Sequence, residues 1–161
     1  MKNNIEKIHP FNNKVETALR MLCILNEAFP SSFDTQHLIY LDYLSVHSGD
    51  IRSEIESLHP PVPDRIGEIF VRRAIIEEGL TLLLSYNLIE RVYSLEGIKY
   101  QASEIATPFL EAHTSSYYYK LVEKVQLVVN NYSQLTIGEI ELLLKENIES
   151  FKNKFDLQIL L

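Results

Sequence analysis

One segment constrains the fold more than any other. Between Asp64 and Asn87 the chain carries apolar residues on two sides of a single predicted helix, over residues 65–85. Ile66, Ile69, Phe70, Ile76, Leu80, Leu83 and Leu84 follow one face, while Val71, Ile75, Gly79 and Leu82 follow another. A surface helix needs one apolar stripe, and a helix with two is expected to be covered on both. Asp64 supplies an N-cap and Asn87 a left-handed stop, so the helix has defined ends. The fold must therefore place other elements on both sides of residues 65–85.

The elements available are mostly helices. Val15, Ala18, Leu19, Leu22, Cys23, Leu25 and Ala28 recur at helical spacing, and Pro30-Ser31-Ser32 ends that run. Asp34 caps a second helix through Leu38, Ile39, Leu41 and Leu44, and Gly49-Asp50 stops it. Pro60, Pro61 and Pro63 fix their own backbone and bias their neighbours away from helix, so the segment before Asp64 reads as an ordered, extended surface loop. Ser103 is expected to cap a helix containing Pro108. Tyr118, Leu121, Val122, Val125, Val128, Val129 and Tyr132 give a strongly periodic helix over 115–132. Thr136 and Glu139 match a capping box opening a last helix through Ile140, Leu143, Leu144 and Ile148. The run Leu157-Gln158-Ile159-Leu160-Leu161 is apolar enough to predict docking on the chain or on a partner.

Leu88 to Ser94 and Ile98 to Ala102 are rich in β-branched and aromatic residues, with Gly97 placed to supply the positive φ of a hairpin loop. Helices followed by such a hairpin and a further helix form the winged helix-turn-helix pattern. The expected fold is mainly α, with a winged-helix core over 12–112, a two-stranded wing, and a C-terminal helical hairpin over 113–161 packed on the core or on a partner.

Composition limits what such a fold can do. The formal net charge is −7, whereas sequence-independent DNA affinity comes mainly from Lys and Arg neutralising phosphates. DNA contact is accordingly expected only within a larger assembly. A single cysteine, Cys23, excludes disulfide frameworks and thiolate metal clusters within the chain and points to a reducing compartment. No apolar run reaches the ~18 residues of a membrane span and the first residues lack a signal-peptide core, so the expected location is the cytoplasm, with no membrane partner. There is no Gly-rich phosphate loop, zinc-protease motif or G-x-S-x-G elbow, so a non-enzyme requiring no cofactor is expected.

Three strings carry a closer resemblance: Leu41-Asp42-Tyr43-Leu44-Ser45-Val46-His47-Ser48-Gly49-Asp50; Ser57-Leu58-His59-Pro60 with Pro63-Asp64-Arg65-Ile66-Gly67-Glu68; and Val71-Arg72-Arg73. Together they resemble the middle component of ABC-three-component systems, over roughly residues 12–125 and most densely over 40–104. Lamassu-type antiphage systems are similar. The resemblance implies a bridging subunit of prokaryotic defence, joining a coiled-coil ATPase of the SMC and Rad50 class to an effector, with ATP hydrolysis on the ATPase.

Within that frame the candidate partner contacts are His47, Asp50, His59, Arg65, Arg72, Arg73, Ile75 and Leu82. His47, Asp50 and His59 include a known metal-ligand set, but their spacing matches no metal motif, and such residues more often fix turns. The guanidiniums suit bidentate pairing with a partner's acidic groups, although Glu68/Arg72 and Arg73/Glu77 are also spaced for pairing along the helix. Charge reversal at Arg72 and Arg73 together is expected to weaken assembly and leave the fold intact. Arg91 and Lys99 are placed for nucleic-acid contact on the wing, where Glu90 and Glu96 dilute the charge. The Tyr117-Tyr118-Tyr119 run is expected to pack in the core or an interface. The alternative function is a freestanding winged-helix DNA-binding regulator that reads DNA with helix 65–85.

Overall fold

The computed structural model describes residues 13–148, and the apolar run 157–161 lies outside them. Among the described residues six α-helices surround one hydrophobic cluster, with a single two-stranded hairpin at its edge. Helix α1 spans Lys14–Glu27, α2 Thr35–Val46 and α3 Arg65–Ser85. The hairpin strands are β1, Ile89–Ser94, and β2, Gly97–Ala102. Helices α4, Ala106–Glu111, α5, Ser116–Tyr132, and α6, Ile137–Asn147, complete the order.

Short polar side chains start five of these helices. Asn13, Asp34, Asp64, Ser115 and Thr136 each accept a backbone N–H of the first turn, and Glu139 closes the capping box on Thr136. Helix α4 is the exception. The expected cap, Ser103, instead donates its hydroxyl to Asn87 O at 2.7 Å, and Ile105 stands at the helix start with no side-chain cap. Ser103 thus ties the end of the hairpin to the end of α3.

Helix α3 stops as expected. Asn87 has φ 55°, Asn87 N–H bonds Leu84 O at 3.1 Å, and Leu88 N–H bonds Leu83 O at 3.0 Å, the two bonds of a Schellman stop. The chain is thereby turned straight into β1. Ser94 pairs with Gly97, so Leu95 and Glu96 alone form the hairpin loop, and Gly97 adopts φ 121°. Phe33, between α1 and α2, adds a bridge to the other edge of β2 through Phe33 N–H to Tyr100 O at 3.0 Å and Tyr100 N–H to Phe33 O at 2.8 Å.

The most enclosed helix is α2 rather than α3. Every residue from Leu38 to Val46 is buried, because α3, α5 and α1 all pack around it and α6 covers its start. Helix α3 is covered on one side and partly on the second. Gly79 lies against the backbone of Ala18, where a Cβ would come within 3.2 Å of Ala18 N, and this close crossing seats α1 on α3. The other members of the second stripe stay more open: Ile75 and Leu82 are half-buried and Val71 is 75% exposed. Phe70, expected on the core face, is 65% exposed, because the buried line runs through Ile69, Arg72 and Ile76 and leaves Phe70 a step around the helix. Val15, expected inward on α1, is exposed at that helix's start.

Candidate interaction site

The polar residues of the sequence motifs converge on one buried ion network at the meeting of α1, α2, α3 and α5. Its centre is Asp42 on α2, with no solvent exposure. Asp42 accepts from Arg20 Nε at 2.7 Å and Nη2 at 3.3 Å, and from Arg72 Nη1. Arg72 also donates to Glu68, which in turn accepts from His47 Nε2 at 3.0 Å. Burial alone would push the Asp42 carboxyl up, but the Arg20 and Arg72 guanidiniums outweigh it and hold the group below the usual carboxylate range. Glu68 follows the same balance, with burial opposed by the His47 bond and by Arg72.

A second branch closes the network onto α5. Tyr117 Oη donates to Glu16 at 2.7 Å and lies 2.9 Å from His59 Nε2. Since the hydroxyl proton goes to Glu16, Tyr117 accepts from His59, and the consistent ring is the neutral tautomer protonated at Nε2. Burial and the nearby Arg20 charge push the His59 pKa down to about 4. His59 therefore stays neutral through the physiological range. A third branch pins the loop before α3, where Arg65 grips Asp50 with two bonds at 2.9 and 3.1 Å and Tyr43 donates to Asp50 at 2.5 Å.

This geometry corrects the sequence-based placement of several residues. Arg72 is 2% exposed, and His47 and His59 are buried; all three were expected to face a partner, yet they point into the chain's own network. Asp50 and Arg65 engage each other. Arg73 is the outlying arginine of α3, half exposed, donating to Gln36 at 2.6 Å and 3.6 Å from Glu77. His47 and His59 lie with ring centroids 6.3 Å apart, but Glu68 takes one and Tyr117 the other. Among the described residues no group of three or more His, Cys, Asp or Glu is arranged to hold a metal. Cys23 is buried and its thiol is pushed up to about 12 by that burial, so it is not poised as a nucleophile.

Part of the outward surface is apolar. A groove of about 1290 Å³ runs between the start of α1, the end of α3, α4 and the start of α5. Val15, Leu19, Leu82, Tyr86 and Phe109 are among its walls, and Lys14, Glu16 and His113 contribute polar groups. Toward the N-terminal half of α3 the exposed surface continues through Phe70, Val71 and Ala74, and it carries Glu77 and Glu78 beside Arg73. Of the groove residues, the sequence had marked Leu82 alone as a contact. Tyr86 caps the C-terminal end of α3 and Phe109 lies in the six-residue α4, a helix too short for periodicity to tell outward from inward.

The wing presents a similar balance. Lys99 is paired with Glu96 at 2.8 Å, Arg91 is exposed opposite Tyr100, and the tip exposes Tyr93, Leu95 and Ile98. Of the three tyrosines at the start of α5, Tyr117 joins the network, Tyr118 is half-buried and Tyr119 is exposed. No helix among the described residues is long and apolar enough to cross a membrane.

Comparison with curated proteins and with solved structures gave no match. The family model of the ABC-three component (ABC-3C) system Middle Component 2 matches residues 10–154, and the chain belongs to that family, a middle component of a prokaryotic defence system.

Proposed function

We propose that this chain is a non-catalytic bridging subunit, Lamassu-like in its setting, that joins a coiled-coil ATPase of the SMC and Rad50 class to an effector in the cytoplasm. The observation that carries this reading is the allocation of charge on α3. Arg65 and Arg72 are engaged within the chain, and the outward face sets Glu77 and Glu78 beside the single Arg73. A helix that reads DNA needs unpaired basic or amide side chains on its groove-facing side. An apolar groove beside an acidic face suits protein contact instead. The order α1, Phe33 bridge, α2, α3, β1, β2 supports a winged-helix reading of the fold. In place of a tight helix-turn-helix connection, however, α2 and α3 are joined by residues 47–64. On this reading Arg91 and Lys99 touch nucleic acid only inside the assembly.

The test is reconstitution from the three components of the system. The expected result is a complex in which the ATPase and effector are recovered together only when this chain is present. Recovery of the two without it would remove the bridging role. Recovery of this chain alone, with salt-sensitive and sequence-selective DNA binding, would establish the freestanding regulator instead.

A further inference from the structure

Among the features without an assigned role, the outward line of α3 has the most regular chemistry. Val71, Ile75, Glu78 and Leu82 follow one another at spacings of four, three and four residues, the spacing of a coiled-coil seam, and Tyr86 extends the line by one turn. Val71 and Tyr86 are 75% and 67% exposed, and Ile75 and Leu82 are half-buried. At its C-terminal end the line becomes a wall of the apolar groove, with Val15 and Phe109 on the far side. At 1290 Å³ that groove exceeds the roughly 300–1,000 Å³ typical of small-molecule pockets. From Val71 to Tyr86 the line is about 22 Å long at 1.5 Å per residue, about four helical turns.

We propose that this line and groove bind one amphipathic helix of a partner protein, whose apolar stripe lies along Val71, Ile75, Leu82 and Tyr86 and which sets a Lys or Arg against Glu78. The charge is the discriminating element. Glu78 stands in the middle of the apolar line, exposed and with no salt-bridge partner among the described residues. Covering it with an apolar helix would bury an unpaired carboxylate, whereas a basic residue opposite it fixes the register of the pair. A second copy docking through the same stripe would bring Glu78 toward its own equivalent, with like charges opposed. The inference rests on the bridging reading, because it names the mode by which one of the bridged subunits is held.

The test uses the full chain mixed with each of the other two components, with affinities measured for wild type, Val71→Glu, Tyr86→Glu, Glu78→Lys and, as a control at an exposed position of the wing, Glu90→Lys. Hydroxyl-radical footprinting reads the side chains of Tyr86 and Phe109 directly. The expected result is that one component binds and protects both side chains. Each of the three variants along the α3 line should weaken that binding about tenfold or more, while the wing variant stays near wild type. Reversing the partner's basic residue should restore binding to Glu78→Lys. Binding that is unchanged in variants with wild-type circular dichroism would overturn the groove assignment and leave the bridging reading standing. Failure of both components to bind would overturn both. Protection of Tyr86 without partners would also overturn the proposal. If that protection depended on concentration, a second copy would be the occupant; if not, the occupant would be another part of the same chain.

Discussion

At the scale of single residues, Asp42 is the position on which most depends. Two guanidiniums are buried against it, so Asp42→Ala removes the acid they share and leaves Arg72 with Glu68 and Arg20 with Glu16 at 3.4 Å; it should cost about 3–5 kcal/mol, read as a lowered urea midpoint. Arg72→Glu should be comparably damaging, since it sets a third acid beside Asp42 and Glu68. Arg73→Glu should change stability by no more than about 0.5 kcal/mol, as expected of an exposed position. The joint reversal of Arg72 and Arg73 is therefore a folding defect and not a clean interface probe. His59 adds a pH dependence of definite sign. The unfolded chain protonates this ring near 6.5 and the folded chain only near 4, so the unfolded state binds more protons across that window. Stability should fall as pH drops from about 6.5 toward 4, and Asp42 and Glu68 add to the loss as pH falls through the ordinary carboxylate range and below it. Urea titrations at pH 7.5, 5.5 and 4.5 measure this slope, and His59→Gln should flatten it between pH 6.5 and 4.

At the scale of elements, two glycines test different physics. Gly79 sits where α1 crosses α3, with the Ala18 backbone 3.2 to 3.3 Å from a would-be Cβ. Gly79→Val must push the two helices apart and should cost about 1–3 kcal/mol. Gly97 has open space around its Cβ position but φ 121°, so Gly97→Ala costs backbone strain alone, about 1 kcal/mol, and should loosen the wing. Thermal melts of the two variants separate these cases. The elements themselves were largely legible in the sequence. Capping residues and periodicity mark the starts of α2, α3, α5 and α6, and the Asn87 stop and the Gly97 turn depend on local backbone chemistry. What periodicity does not carry is which neighbour covers a face. Helix α3 reads as central because it is apolar on two sides, yet α1 covers only part of its second stripe, and the enclosed helix is α2. A clue was present in the carboxylate of Asp42 within a run of apolar residues, a combination that requires a buried cationic partner. Of its two partners, Arg20 lies 22 residues upstream and Arg72 lies 30 downstream, and no spacing rule connects them. The Glu68–Arg72 pair, one helical turn apart, was legible for the opposite reason.

At the scale of the whole molecule, the question is whether the C-terminal helices are an appendage or part of the fold. The sequence divides the chain near residue 112, with a winged-helix core before it and an extension after it. Two kinds of contact bear on that division. Helix α5 packs Leu121, Val125, Val128 and Val129 into the cluster shared with α1 and α2. Tyr117 also donates to Glu16 of α1 and accepts from His59 of the loop before α3. Removing everything after residue 112 would uncover an apolar face of α2 and strip buried polar groups of their partner, two losses that the remaining hydrophobic contacts do not offset. The chain cut at 112 is therefore expected to lack a cooperative urea transition and to expose apolar surface to a reporter dye. In the full-length chain, far-ultraviolet circular dichroism and tyrosine fluorescence should follow one coincident transition. A cooperative transition in the truncated chain would instead make α5 and α6 a detachable arm, free to serve a partner surface, and would shift the search for the bridging contacts from α3 to that arm.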